Sequence, residues 1–243
     1  MPRRLVALVV LVLLLPSSAA AAASLGRATA QTRAAGSARY TIDVTASLSG
    51  GRKLTTNARG TIEFSRRRAH IYKLVPGGQV PEEQIVIGPW TYANSNVTAA
   101  LGDPNAKPWT KLDTRRLAPS HRAGELEAAR VLAYLPSGVA TPHLIATRNG
   151  LAHFQGVVSP AGVVRHIPAA QRPELAAILR AEYAARPFRA DFWLDTQSRL
   201  RRLRVSYGAQ GMRFTILGTY SAFGSHVNVK LPPPREITNI TPK

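Results

Sequence analysis

The chain contains no cysteine. That excludes disulfides, a thiolate nucleophile, a zinc–cysteine site and a lipid-modified N-terminal cysteine. Acidic residues are scarce as well: 13 Asp and Glu stand against 32 Lys and Arg, a formal net charge of +19. A field of that sign favours anionic partners, such as phospholipid headgroups, anionic glycolipids or acidic wall polymers. A G+C-rich genome produces the same arginine bias without any partner. Catalytic signatures are missing: there is no G-x-S-x-G elbow, S-x-x-K, H-E-x-x-H, G-x-G-x-x-G or P-loop. No sequence motif therefore argues for catalysis, a cofactor or a metal.

Long apolar runs are absent except for one near the N-terminus. Arg3 and Arg4 precede an apolar stretch over 5–15, followed by Pro16, two serines and an alanine tract over 19–23. A basic start, a short apolar core and a small-residue exit form a secretory signal. The run is shorter than the roughly 20 residues that a membrane-spanning helix needs. The chain is thus expected to divide into a signal peptide over 1–23, a leader or short helix over 24–38 with Leu25, Ala28 and Ala35 on one side, and a single domain over 39–243. It is expected to be exported to an extracytoplasmic, envelope or secreted location without a lipid anchor, so nucleic acid is not expected as a partner.

What is present is β-type alternation. Over 40–48, Tyr40, Ile42, Val44, Ala46 and Leu48 share one face, and Thr41, Asp43, Thr45 and Ser47 share the other. A Ser-Gly-Gly-Arg turn leads to a second strand over 53–64 with Leu54, Ala58, Ile62 and Phe64 on one face; Gly60 predicts a bulge or bend in it. Further strands are expected over 69–75, 84–88, 90–93 and, at an edge, 109–112. Loops are expected over 76–81 and 94–108. Helical spacing of Leu126, Ala129, Leu132 and Ala133 predicts a helix over 125–135, stopped by Pro136. Asn149-Gly150 predicts a hairpin between 139–147 and 151–158. A second helix is expected over 168–185, with Leu175, Ile178, Leu179 and Tyr183 on one face. The chain then closes on a three-strand meander from 188 onward. Few helices among about ten strands make this an α+β protein with an antiparallel sheet. Tyr40, Phe64, Tyr92, Phe188, Phe192, Tyr207 and Phe214 follow the apolar alternation. If the sheet curves, they line its concave face, and too few helices remain to fill it.

Polar clusters read as structural. His143 and His153 lie on the two arms of one hairpin and read as sheet-surface histidines. Asp191 and Asp195 stand four residues apart on one strand, roughly 13 Å at strand rise, too wide for a glycosidase pair; Arg201, Arg202 and Arg204 are their expected partners. Arginines gather at Arg66, Arg67 and Arg68, at Arg115 and Arg116, and from Arg199 to Arg204, including Arg202 and Arg204.

The mature chain resembles the LolA-like superfamily, and within it the actinobacterial LppX/LprG-type envelope proteins. The likeness rests on SARYTIDVTASL at 37–48 with ARGTIEF at 58–64, GPWTYA at 88–93, PWTKL at 108–112, FWLDTQSRLRRL at 192–203, and the ending from Tyr220 to the prolines Pro232, Pro233 and Pro234. The resemblance implies a strongly curved antiparallel half-barrel closed by two or three helices around an apolar cavity, and carriage of lipids, acylated glycolipids or lipoproteins without catalysis. Many relatives carry a lipobox cysteine; this chain has none, which points to a soluble shuttle or one held by charge. On this reading the cavity is lined by Ile42, Val44, Ile62, Phe64, Ile71, Ile85, Ile87, Leu126, Leu132, Phe192, Val205, Phe214 and Ile216. Arg66, Arg67, Arg68, Arg202 and Arg204 would face anionic headgroups or an anionic membrane surface. Two alternatives are a sensor or adaptor of the same fold that binds an envelope protein, and an envelope hydrolase.

Overall fold

The computed structural model describes residues 18–48, 50–74, 82–94, 107–118, 124–183, 186–209 and 211–242. Most of the signal segment read over 1–23, the loop over 76–81 and most of the loop over 94–108 lie outside the described residues. Helix α1 (Ser18–Ala34) leads into β1 (Ser37–Ser47), β2 (Lys53–Glu63), β3 (Arg68–Leu74), β4 (Glu82–Ile87), β5 (Trp90–Asn94) and β6 (Trp109–Asp113). Helix α2 (Glu125–Tyr134) follows, then the hairpin β7 (His143–Arg148) and β8 (Leu151–Val158). Helices α3 (Pro160–His166) and α4 (Arg172–Tyr183) precede β9 (Phe188–Leu194), β10 (Leu200–Ala209) and β11 (Met212–Ser221), and β12 (Ile237–Asn239) ends the fold. Among the described residues no helix is long and apolar enough to cross a membrane.

All twelve strands belong to one open, curved sheet in the order β12-β6-β5-β4-β3-β2-β1-β11-β10-β9-β8-β7. Every pairing is antiparallel except β12 on β6. Two meanders run outward from the middle, where the first strand pairs with the eleventh, Tyr40 opposite Tyr220 and Val44 opposite Ile216. Pairing follows the alternation read from sequence. Tyr40, Ile42 and Val44 sit opposite Gly60, Ala58 and Thr56, and a register slip of one residue would turn the whole apolar set to water. The Asn149-Gly150 turn has positive φ at both positions, 52° and 73°, as a tight hairpin requires.

The helices cover the concave face. Leu126, Ala129, Leu132 and Ala133 of α2 are buried. So are Leu175, Ile178, Leu179 and Tyr183 of α4. The first helix contributes too: Leu25 and Ala28 are buried, and the Thr32 hydroxyl accepts a hydrogen bond from the Leu200 N–H at 2.8 Å. Between helices and sheet, Tyr220 donates its hydroxyl to the Ala129 carbonyl at 2.5 Å.

Several expectations need correction. Gly60 marks no bulge, because β2 pairs continuously through it with Tyr40 and Ile71. A Cβ there would lie 2.1 Å from the His70 carbonyl oxygen, so close backbone approach is what requires glycine. Strand β6 is not the sheet edge, because β12 pairs with it, Ile237 opposite Trp109. Helix α3 was not anticipated, though Ser159 caps it through Gly162 N–H at 3.2 Å and Pro160 takes the first turn. Tyr92 faces outward, packed with Ile85 and Trp109 in a second apolar cluster on the outer side of the sheet.

Candidate functional site

One cavity opens between the concave sheet face and helices α2 and α4, with a volume of about 410 Å³. Strand alternation and helical spacing build it from five strands and two helices. Its buried lining is mainly aliphatic, with Ile42, Ala58, Val131, Leu132, Ile178 and Ile216, and Tyr183 buried beside them, each at most 7 % exposed. The more open lining residues are Val44, Thr56, Lys73, Gly124, Ala128, Tyr207 and Phe214. Aromatic rings frame that side, with Tyr207 stacked on Phe214 at 5.2 Å and Tyr183 tilted against Tyr207 at 5.1 Å. Thr56 and Lys73 therefore stand on the more open side, while the buried lining is hydrocarbon except for the phenol of Tyr183.

The thirteen residues expected to line a cavity divide into three groups. Ile42, Val44, Leu132, Phe214 and Ile216 are on its walls. Ile62, Phe64, Ile71, Leu126, Phe192 and Val205 are at most 2 % exposed and belong to the close-packed interior beside it. Ile87 packs against the outward cluster of Ile85, Tyr92 and Trp109. That cluster borders a wider outer groove of about 810 Å³ beneath Lys230, Leu231 and the three prolines. His70, Glu83, Lys111 and Lys230 interrupt its lining, against Lys73 in the inner cavity, so the smaller, helix-covered inner cavity is the better hydrocarbon site. Tyr207 stands on the concave face as its alternation predicts, whereas Thr56, Lys73, Ala128 and Val131 line the cavity without having been expected there. Lys73 was hardest to foresee, because a charge at an inward position of β3 breaks the apolar alternation.

The arginines expected at the rim stand elsewhere. The β2–β3 turn holding Arg66 and Arg68 lies at the far end of those strands from Thr56 and Lys73. Arg67 turns inward: its Nε donates to Glu127 at 3.0 Å and its Nη1 to the Thr114 hydroxyl at 2.5 Å. Glu127 is only 2 % exposed, and burial pushes its carboxyl above the ordinary range while Arg67 and Arg130 oppose that shift. Arg130, equally buried, donates to the carbonyls of Glu63 and Arg66, and burial lowers its pKa. These three charges lock α2 onto the β2–β3 turn. Arg202 and Arg204 are exposed on the outer face, opposite Trp193 and Asp191 of β9, with Arg202 above the Trp193 ring at 5.0 Å.

Among the described residues the sequence-predicted histidines and aspartates form no catalytic constellation. Asp191 accepts from His153 at 2.9 Å and from Gln155 at 3.2 Å, with His153 stacked 4.3 Å from Trp193 on the outer face. Asp195 closes the β9–β10 turn, accepting from the N–H groups of Gln197 and Arg199 and from the Arg199 side chain. Its partner is thus within the turn and not among Arg201, Arg202 and Arg204. Among the described residues no three His, Asp or Glu side chains cluster as metal ligands.

No protein-family model matches the chain, and no curated protein matches it. Among solved structures it is similar to a LolA superfamily protein from Nitrosomonas europaea, at 9 % identity and TM-score 0.34 over 87 % of this chain and 94 % of that one. It is also similar to MucB in complex with MucA(peri), at 14 % identity and TM-score 0.32 over 83 % of this chain and 56 % of that one. A further likeness is to the MucA/MucB complex of Pseudomonas aeruginosa, at 13 % identity and TM-score 0.33 over 83 % of this chain and 57 % of that one. The chain therefore spans little more than half of MucB.

Proposed function

We propose that this protein is an exported, non-enzymatic carrier that holds an acyl chain of a lipid, acylated glycolipid or lipoprotein in its inner cavity, as LppX/LprG-type envelope proteins do. The observation that carries this reading is the mainly aliphatic buried lining beneath a partly polar, aromatic-framed mouth. Each methylene moved from water into such a lining gains about 0.8 kcal/mol, so a chain of ordinary length binds without any catalytic or metal group. Organic extraction and native mass spectrometry of the purified full-length protein test it. The expected result is acyl species at one per protein, lost when Ile216→Trp fills the cavity. Recovery of no acyl species, with the Trp variant indistinguishable from the parent, would overturn the proposal. Copurification of an envelope protein in place of lipid would favour the adaptor alternative.

A further inference from the structure

We infer that the open end of the half-barrel docks on the surface of an anionic phospholipid bilayer, through the tips of the β1–β2 and β10–β11 hairpins. This inference rests on the acyl-carrier reading and adds to it the route by which a chain passes between bilayer and cavity.

Register brings the two tips together at the cavity. Strands β2, β1, β11 and β10 are neighbours in the sheet, and one inward row across them runs Leu54, Ala46, Phe214, Tyr207. Phe214 and Tyr207 stand on the open side of the cavity. Leu54, at the other end of that row, is 51 % exposed, and Leu74, at the same end of β3, is 47 % exposed. Two leucines thus stand in water at the end of the sheet where the cavity opens. Interfacial protein segments bury their apolar side roughly 5–10 Å deep in a bilayer. Thr56 and its cross-strand partner Val44 line the cavity only two residues further along the strands, roughly 7 Å at strand rise. A lipid tail entering beside Leu54 therefore reaches the cavity wall without crossing open water.

Charge identifies the occupant. Arg52 and Lys53 precede Leu54 at one tip, Arg213 follows the other, and Arg186 and Arg189 stand beside them where β9 begins; all are exposed. No described acid forms an ion pair with any of them. Glu82 stands at this end of β4, but register sets it opposite Lys73, whose charge it balances. Behind the cations lie the rings of Tyr183, Phe188, Tyr207 and Phe214, in mutual contact, and behind those the aliphatic lining. Cation, aromatic ring and hydrocarbon follow one another in the order in which an anionic bilayer presents phosphate, interface and acyl core. The opposite end of the sheet is basic too, at Arg66, Arg67 and Arg68, but Phe64 beside that turn is buried and Arg67 is engaged by Glu127.

The chain has no cysteine, so Leu54→Cys gives the full-length protein a single site for an environment-sensitive fluorophore. Ser65→Cys, in the exposed turn at the opposite end, carries the control label. Vesicles of phosphatidylglycerol and phosphatidylcholine in equal parts should brighten and blue-shift the label at Leu54→Cys and leave that at Ser65→Cys unchanged. Vesicles of phosphatidylcholine alone should alter neither. Each cation near an anionic bilayer is worth roughly fivefold in partitioning, so Arg52→Gln with Arg213→Gln should weaken vesicle binding about 25-fold. Arg202→Gln with Arg204→Gln removes the same charge from the outer face and should weaken it far less. Equal weakening by the two pairs, or an equal response at Ser65→Cys, would overturn docking at this end. A label at Leu54→Cys that responds to neither vesicle would also overturn it; acyl species still extracted from that protein would leave the carrier reading standing and make a protein the partner of this rim. A response at Leu54→Cys from protein that yields no acyl species would support the docking and overturn the carrier reading.

Discussion

Glu127 is a carboxylate shut away from water, and Arg67 and Arg130 determine what its burial costs. Arg67→Ala leaves that charge buried without its hydrogen-bonded partner, and such losses run to about 3 kcal/mol. The double change of Arg67→Ala with Glu127→Leu removes the orphaned charge, so urea unfolding should show it recovering much of the loss. Strict additivity of the two single changes would show that they do not interact. Asp113 offers a test in acid. The Arg115 side chain donates hydrogen bonds to its carboxylate, only partly opposed by burial, and holds its pKa at about 2, below its ordinary 3.8. A lowered folded pKa contributes stability that is present above pH 3.8 and lost as pH falls toward 2. Asp113→Asn should therefore flatten the acid limb of the stability curve between those values. A limb of unchanged slope, followed by circular dichroism, would contradict this.

The strands were legible because their inward residues alternate strictly, as Tyr40, Ile42 and Val44 do, and because Asn149-Gly150 forces a tight turn. Helices α2 and α4 were legible for the matching reason: Leu126 and Leu132, or Leu175 and Leu179, recur at helical spacing. Helix α3 was not, since seven residues hold too few turns to display a period; its only signal was Ser159-Pro160. Its packing is close nonetheless. A Cβ on Gly138 would stand 2.4 Å from Val163 Cγ2 and 2.8 Å from the Ser159 carbonyl. Gly138→Ala should accordingly cost about 1–3 kcal/mol in thermal or urea unfolding; a neutral result would mean that α3 moves aside freely. Strand β12 was equally invisible, because three residues cannot announce a parallel partner far back in the chain. Removing residues 227–243 strips Val229 and Ile237 from Trp90 and Trp109 and bares the β6 edge. Red-shifted tryptophan emission and self-association in light scattering are the expected outcomes.

At the scale of the molecule, composition conveyed the charge but not its placement. Sequence reading put cationic headgroup contacts at Arg66, Arg67 and Arg68, yet that turn lies at the far end of its strands from the cavity mouth. Which end of a half-barrel opens depends on where the helices cross it, and strand alternation carries no information about that. The net charge of +19 still predicts binding to vesicles containing phosphatidylglycerol at low salt. That binding should weaken toward physiological salt, where screening acts over about 8 Å. Arg202→Glu with Arg204→Glu should reduce flotation with such vesicles if the outer face is the contact; unaltered flotation would assign it elsewhere. The central pairing of β1 with β11 has one more consequence, in time. A chain emerging from a ribosome or a translocation pore has made β1 early, but its neighbour, Met212–Ser221, arrives nearly last. The two meanders can join only after almost the whole polypeptide has been delivered. A nascent chain stopped before residue 212 should therefore remain protease-sensitive throughout, and the last strands delivered set the moment at which the molecule becomes a container.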